Sequence, residues 1–231
     1  MYEITIIIPV YNEIKTIEKL LLKVLGLRIK KQIILIDDCS TDGTKKIINT
    51  YKKKINKIIY HNKNTGKGSA IRSAQRFIKG NYTVIQDADL EYQPDDILKL
   101  LKKIKKKKID VIYGSRVLNK KKYQNTKNFT HFIRIIGNVF LTKVSNFVNN
   151  QRLTDAHTCY KMFKSKIFKK IKIKENGFAF CPEITTKLSN KNINIVEMPI
   201  SYKGRTYAEG KKINSYHGIE ALYCLLKYKL F

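Results

Sequence analysis

The chain has 231 residues, 43% hydrophobic and 28% charged, a composition that fits one sizeable globular core and excludes a disordered or collagen-like chain. Lysine and arginine total 47 against 18 acidic residues, a formal net charge of +29. Such a surplus favours anionic partners (nucleic acid, phosphorylated substrates or an acidic bilayer face), but it accompanies the abundant Lys, Ile and Asn of an AT-rich genome, so charge serves as context only.

No apolar stretch approaches the ~20 residues of a membrane-spanning helix. The N-terminus opens directly into the strand-like run Tyr2–Pro9, without the basic region and cleavage site of a signal peptide. Cys39, Cys159, Cys181 and Cys224 form no C-x-x-C pair and read as reduced thiols. The expected location is cytoplasmic.

In chain order, Ile4–Val10 is a continuous β-branched run, the form of a buried parallel strand. Ile17, Leu20, Leu21, Val24 and Leu25 follow at helical spacing. A second strand is predicted at Ile33–Ile36, then a helix from near Thr41, a short strand at Ile58–Tyr60 and a helix from Gly66 to Ile78. Tyr82–Gln86 reads as the fourth strand, Pro94–Ile104 as a helix with proline in its first turn, and Val111–Tyr113 as the fifth strand. Phe132–Val148 has helical spacing, Thr158–Phe163 is strand-like, Pro182–Leu188 is a short helix, Ile193–Met198 a late strand and Ser215–Tyr228 an amphipathic helix. The alternation predicts an α/β fold with an open, mostly parallel, Rossmann-like sheet flanked by helices. No Pro/Gly/Ser linker divides the chain, so residues 1–231 are expected to form a single domain, with 199–231 supplying a loop and the terminal helix.

In open α/β sheets ligands bind at the carboxyl ends of the strands, and unusual polar residues collect there: Pro9–Glu13, Asp37–Gly43, Asn62–Ser69, Asp87–Glu91 and Gly114–Arg116. Three common sites are excluded. The first turn lacks the glycines of a dinucleotide fold. Gly66-Lys67-Gly68-Ser69 places glycine where a P-loop needs Ser or Thr after the lysine. Asp38, Ser40, Asp42 and Gly43 begin like a calcium loop, but its twelfth position is Asn49 rather than glutamate.

Asp87-Ala88-Asp89 points to a metal. Two carboxylates two residues apart at a strand end repel unless a divalent cation lies between them, and Mg²⁺ or Mn²⁺ suits such oxygen ligands beside substrate phosphates. Glu91 is placed to supply a third oxygen.

Ile8-Pro9-Val10-Tyr11-Asn12-Glu13, Asp37-Asp38-x-Ser40-x-Asp42-Gly43-Thr44, Gly66-x-Gly68-x-Ala70 and Asp87-x-Asp89 together resemble the family-2 glycosyltransferases of the GT-A fold. Gly114-Ser115-Arg116, Thr154-Asp155, Pro182-Glu183 and the segment from Pro199-Ile200 through Arg205 to Gly210-Lys211-Lys212 resemble the branch that makes dolichyl- or polyprenyl-phosphate sugars. The resemblance implies that Pro9, Tyr11 and Glu13 line a nucleotide pocket and that Asp38 holds the base or ribose. Asp87 and Asp89 would hold the metal on the donor diphosphate, with Glu91 beside them, and Lys67 belongs to the same cofactor-binding set. Arg116 and Arg134 would face an acceptor phosphate, and Arg205 and Lys211 would lie in a basic loop closing over phosphate.

The implied reaction is inverting transfer from a GDP- or UDP-sugar, with the metal stabilising charge on the leaving diphosphate. A phosphate acceptor is already ionised and needs arginines to place it. A hydroxyl acceptor, as in polysaccharide synthesis, needs a general base, and Asp155 and Glu183 are the candidates; His157 is either structural or part of the acceptor site. Two other classes fit less well. A nucleotidyltransferase should carry a Gly- and Lys-rich first loop, and a basic nucleic-acid-binding module leaves the strand-end acids unexplained. A lipid acceptor implies contact with an integral membrane partner or, through the terminal helix, with the cytoplasmic face of an anionic membrane.

Overall fold

The computed structural model describes residues 1–118, 129–205 and 216–230, with backbone alone over 129–135. The elements are β1 (Ile4–Val10), α1 (Ile17–Gly26), β2 (Lys31–Asp37), α2 (Thr44–Thr50), β3 (Lys57–Tyr60), α3 (Lys67–Ala74), β4 (Tyr82–Ile85), α4 (Asp95–Lys106), β5 (Val111–Ser115), α5 (Phe129–Asn149), β6 (Lys161–Lys164), α6 (Ser165–Phe168), α7 (Phe180–Ser189), β7 (Ile195–Pro199) and α8 (Tyr216–Leu230). Among these residues no helix is long and apolar enough to cross a membrane.

The strands form one seven-stranded sheet in the order β3-β2-β1-β4-β6-β5-β7. β1 lies parallel to β2 and β4, β2 to β3, and β5 to β7. β6 alone runs antiparallel, between β4 and β5. The core is the β-branched interior of this sheet: Ile4, Ile6, Ile7, Ile8 and Ile33–Ile36 are all nearly solvent-free, as a strand covered by helices on both faces requires. Ridges of α1 (Ile17, Leu20, Leu21, Val24) and α4 (Ile97, Leu100, Leu101, Ile104) seal it at helical spacing.

Two boundaries differ from expectation for local reasons. α2 begins at Thr44 rather than near Thr41, because the Asp42 carboxylate accepts from both the backbone N–H and the hydroxyl of Thr44 (3.0 and 2.6 Å) and Gly43 takes a left-handed φ of 95°. The strand expected from Thr158 pairs only from Lys161; ahead of it the backbone N–H groups of Asp155, Ala156 and Cys159 donate to the side chains of Glu197, Thr142 and Tyr92.

Candidate active site

The loops after β1 and β2 are stitched together before any ligand is considered. Asn12, at a left-handed φ of 50°, donates its N–H to Ser40 Oγ (2.9 Å), and its side-chain oxygen accepts from Thr41 N–H (2.8 Å). Pro9 and Tyr11 sit half-buried at this edge. The nearly buried Asp38 carboxylate accepts from the backbone N–H of Thr65 (3.0 Å) and Gly66 (2.7 Å) and from the Thr65 hydroxyl (3.0 Å), with His61 Nδ1 2.7 Å away. It therefore orders the turn that launches α3. The two glycines there serve packing: a Cβ on Gly66 would lie 2.5 Å from the Asn176 carbonyl oxygen, and one on Gly68 2.2 Å from that of Glu175.

Asp87 and Asp89 follow β4, with Leu90 between Asp89 and Glu91 held at a left-handed φ of 61°, a strained geometry for a leucine at a functional edge. Lys67, the first residue of α3, pairs with Asp87 and lies against the rings of Phe178 and Phe180. Burial opposes its charge, but Asp87 more than compensates and holds the ammonium well above its usual range. Arg205, on the segment after β7, makes a two-pronged bond to Glu13 (2.9 and 3.1 Å) and reaches Asp89 Oδ2 (3.3 Å). The Asp89 carboxyl is pushed up to about 7, first by burial and then by the Asp87 and Glu91 charges, against the pull of Arg205.

Glu91 does something other than expected. Its carboxylate accepts from the Tyr202 hydroxyl (2.8 Å) and the Arg205 N–H (2.7 Å), and its carbonyl from Lys203 N–H (2.9 Å), so it anchors the basic segment. Among the described residues no group of three His, Cys, Asp or Glu side chains gathers as a metal site. Of the expected set Asp87, Asp89 and Glu91, the first two pair with Lys67 and Arg205 and the third holds the basic segment. The Asp87–Asp89 pair fits a divalent cation: two crowded carboxylates, one of them with raised basicity, currently neutralised by a lysine and an arginine.

Across the site, Arg116 follows β5 over a fully buried Asp155. Its Nε and Nη2 each lie 2.7 Å from a carboxylate oxygen, its backbone N–H donates at 3.1 Å, and Asn138 of α5 donates to the same carboxylate at 3.2 Å. The Arg116 plane lies 5.1 Å from the Tyr202 ring centre, and Tyr202 meets Tyr92 edge-on. Burial would raise the Asp155 carboxyl, but the Arg116 guanidinium outweighs it and holds it below the usual carboxylate range. Glu197 of β7 fixes this turn by accepting from the Thr154 N–H and hydroxyl and the Asp155 N–H (2.7, 2.9 and 3.0 Å).

This edge can be compared with known proteins. Residues 5–172 match the family described as glycosyl transferase family 2. The chain belongs to glycosyl transferase family 2. A dolichol-phosphate mannosyltransferase of Pyrococcus furiosus is 26% identical over 98% of this chain and 64% of its own length. A UDP-N-acetylglucosamine–dolichyl-phosphate N-acetylglucosaminyltransferase of Methanococcus voltae is 26% identical over 98% of this chain and 96% of its own. Among solved structures, glucosyl-3-phosphoglycerate synthase of Mycobacterium tuberculosis, crystallised with Mn²⁺, UDP and phosphoglyceric acid, superposes with a TM-score of 0.70 at 15% identity, over 99% of this chain and 78% of that one. The shared fold is that of the GT-A glycosyltransferases, as expected.

In this glycosyltransferase both general-base candidates are engaged in hydrogen bonds. Both oxygens of Asp155 are committed to Arg116 and Asn138. Glu183, in the first turn of α7, is fully buried and accepts from the backbone N–H of Lys174 (2.6 Å) and Glu175 (2.9 Å) and from Lys187, so it caps the 174–175 turn that packs against the start of α3. His157 is driven down to about 4 by burial, with Lys161 and Arg116 adding to the effect and Asp155 opposing it, and its Nε2 is buried without a partner. Arg134 lies on α5 with its side chain outside the described residues, and Lys211 lies wholly outside them.

Sequence reasoning missed Asn138, Glu197, Tyr92, Tyr202 and His61. Tyr202 and Glu197 flank the Pro199-Ile200 marker, a signal that could have found them. Asn138 sits in a helical pattern that shows no sign of a polar inner face being needed.

Proposed function

We propose that this family-2 glycosyltransferase moves a sugar from a nucleoside diphosphate sugar onto a polyprenyl phosphate. The observation that carries the reading is the fate of the acids around Arg116. Asp155 is spent on orienting the arginine and Glu183 on a turn, and His157 is a weak base, so none of these three groups is placed to deprotonate a hydroxyl acceptor. A phosphate acceptor needs none, being already ionised. It needs a fixed cation, and Arg116 keeps Nη1 clear of hydrogen bonds to the described residues while Asp155 and Tyr202 hold its plane. The names of the Pyrococcus and Methanococcus relatives, both transferases onto dolichyl phosphate, support the same acceptor class.

On the donor side, Asp87 and Asp89 would hold Mg²⁺ or Mn²⁺, which when bound supplies Lewis-acid stabilisation of the leaving diphosphate. Lys67 and Arg205, which now neutralise those carboxylates, are the cations placed to turn toward diphosphate oxygens. Pro9, Tyr11 and Glu13 wall the nucleotide side, and Asp38 shapes the turn beneath it.

The test is a screen of labelled GDP- and UDP-sugars with Mn²⁺ and a polyprenyl phosphate, with product extracted into organic solvent. Label is expected in the organic phase, and Arg116→Ala is expected to raise the acceptor KM far more than the donor KM. Transfer only to glycan hydroxyls, or equal effects of Arg116→Ala on both substrates, would overturn the reading.

A further inference from the structure

The segment 172–178, between α6 and α7, is tied down from three helices. The N–H groups of Gly68 and Ser69 donate to the carbonyls of Gly177 (3.3 Å) and Asn176 (3.1 Å), so its backbone caps the first turn of α3. Arg72 of α3 donates to the Lys174 carbonyl (3.1 Å) and to the Asn176 side-chain oxygen (2.7 Å). From α7 Glu183 holds the N–H groups of Lys174 and Glu175, and from α8 Tyr228 and Lys227 donate to the Glu175 carboxylate (2.7 and 2.9 Å). Such bracing fixes the side chain at the end of the segment, Phe178, as a binding residue must be fixed.

Phe178 is half-buried, whereas Ala179 and Phe180 behind it are closed to solvent. Its ring centre lies 5.9 Å from Lys67 Nζ, the ammonium paired with Asp87. The Lys67 and Asp87 side chains are themselves 16% and 17% exposed, so solvent reaches all three groups. His217, in the first turn of α8, meets the Phe178 ring at right angles with centres 5.0 Å apart.

Position selects the ligand. α3 packs on β1 and β2, whose loops wall the nucleotide side, and α7 packs on β5, where Thr185 meets Tyr113 (3.1 Å), toward the Arg116 side. The segment carrying Phe178 runs between these helices. Asp38 binds the Gly66 N–H, the next residue Lys67 pairs with Asp87, and Phe178 stands beside that pair. A nucleoside diphosphate sugar repeats this order: nucleoside, diphosphate, then sugar, with the acceptor beyond.

The chemistry agrees with the order. The face of an aromatic ring carries the negative end of its quadrupole, so it repels phosphate oxygens and attracts an ammonium or the polarised C–H bonds of a sugar. In the protein without donor Lys67 takes that place. A diphosphate that draws Lys67 to its oxygens leaves the ring to the hexose.

We infer that Phe178 is the platform for the C–H face of an uncharged donor hexose; this builds on the nucleotide-sugar donor named above and is independent of the acceptor. The test is calorimetry of the full chain with Mn²⁺ and no acceptor, using UDP, GDP, UDP-glucose, UDP-N-acetylglucosamine and GDP-mannose. The readout is the affinity for a sugar conjugate divided by that for its bare nucleotide. Phe178→Leu and Phe178→Met are expected to lower this ratio on the order of tenfold, with bare nucleotide within about twofold of wild type, and Phe178→Tyr to restore it. In wild type, saturating the aromatic protons of the protein should transfer magnetisation to the sugar C–H protons of the bound conjugate, and Phe178→Leu should reduce the transfer.

If one variant unfolds, the other provides the ratio. An unchanged ratio, or an equal loss for conjugate and bare nucleotide, overturns the platform, because the ring would then only brace the segment or Lys67. So does wild type that binds nucleotides but none of the conjugates, or that shows no transfer to the sugar protons. Wild type that binds neither nucleotides nor conjugates defeats the donor reading itself, which separates that failure from failure of the platform alone.

Discussion

The two halves of the sheet edge hold their charges in opposite ways. On the proposed donor side Asp87 and Asp89 are neutralised by Lys67 and Arg205, cations that come from other elements and could be replaced by a metal. On the proposed acceptor side the Asp155–Arg116 pair is buried and bonded from β5, α5 and the turn held by β7, with no exchangeable partner among the described residues. A site that must take up and release a charged group uses pairs across loops, and a site that must keep one orientation uses a buried fork. The first arrangement is sensitive to chemistry at little cost in stability; the second carries stability and orientation together.

The sharpest break in this comparison is Asp89→Asn. Turnover is expected to fall on the order of a thousandfold, because transition-state charge is left without its counter-ion. The melting temperature should equal or exceed that of wild type, since one of three crowded carboxylates is gone. A large drop in melting temperature would show that the donor acids are structural after all. Asp155→Asn should show the opposite balance, costing about 3–5 kcal/mol in a denaturant titration because Arg116 is left buried and unpaired. The sign with pH follows from the depressed Asp155 carboxyl. The stability it contributes is complete above the ordinary carboxylate value of 3.8 and is lost as pH falls through its lower folded value. Wild type should show that acid limb and Asp155→Asn should lack it.

The motifs proposed for the donor side are legible because their residues are local in sequence. Pro9–Glu13, Asp37–Thr44 and Asp87–Asp89 each follow an apolar strand, so the period that identifies the strand also places the motif at the carboxyl edge. The acceptor side depends on contacts between residues far apart in the chain. Asp155 and Glu183 looked like bases because a carboxylate in a loop or a first helical turn carries no mark of what will donate to it; Arg116 is 39 residues from Asp155. The Glu91 contacts were hidden for the same reason, since its partners Tyr202 and Arg205 lie 111 and 114 residues away. The polar inner face of α5 was hidden by the helix itself: its apolar period was visible, but periodicity does not say which face is inside.

Arg205 joins the two halves, reaching Glu13 and Asp89 from a segment anchored by Glu91, and Arg205→Ala sharpens what that bridge does. Turnover should fall on the order of a hundredfold through loss of a cation for the diphosphate. Mn²⁺ binding to the donor-free protein, followed by calorimetry, should nevertheless tighten, because the arginine no longer competes for Asp89. If metal affinity and turnover fall together, Arg205 supports the acids instead of standing in for the cation.

The smallest effect expected is at Glu183, and it tests whether the acceptor half contains a hidden base. The carboxylate is fully buried beneath two backbone N–H groups and Lys187, so Glu183→Gln keeps its shape but turns one acceptor into a donor facing donors. That mismatch should cost about 1–2 kcal/mol. Because both carboxylate oxygens are engaged inside the protein by the Lys174 and Glu175 N–H groups and Lys187, kcat and both KM values should stay within about twofold of wild type once the variant is folded. A general base would behave otherwise: kcat would drop by a factor on the order of 10²–10⁴ with stability nearly untouched. Measuring the melt and the rate on the same preparation separates the two, and a rate loss without a stability loss would return Glu183 to the chemistry and reopen the hydroxyl acceptor.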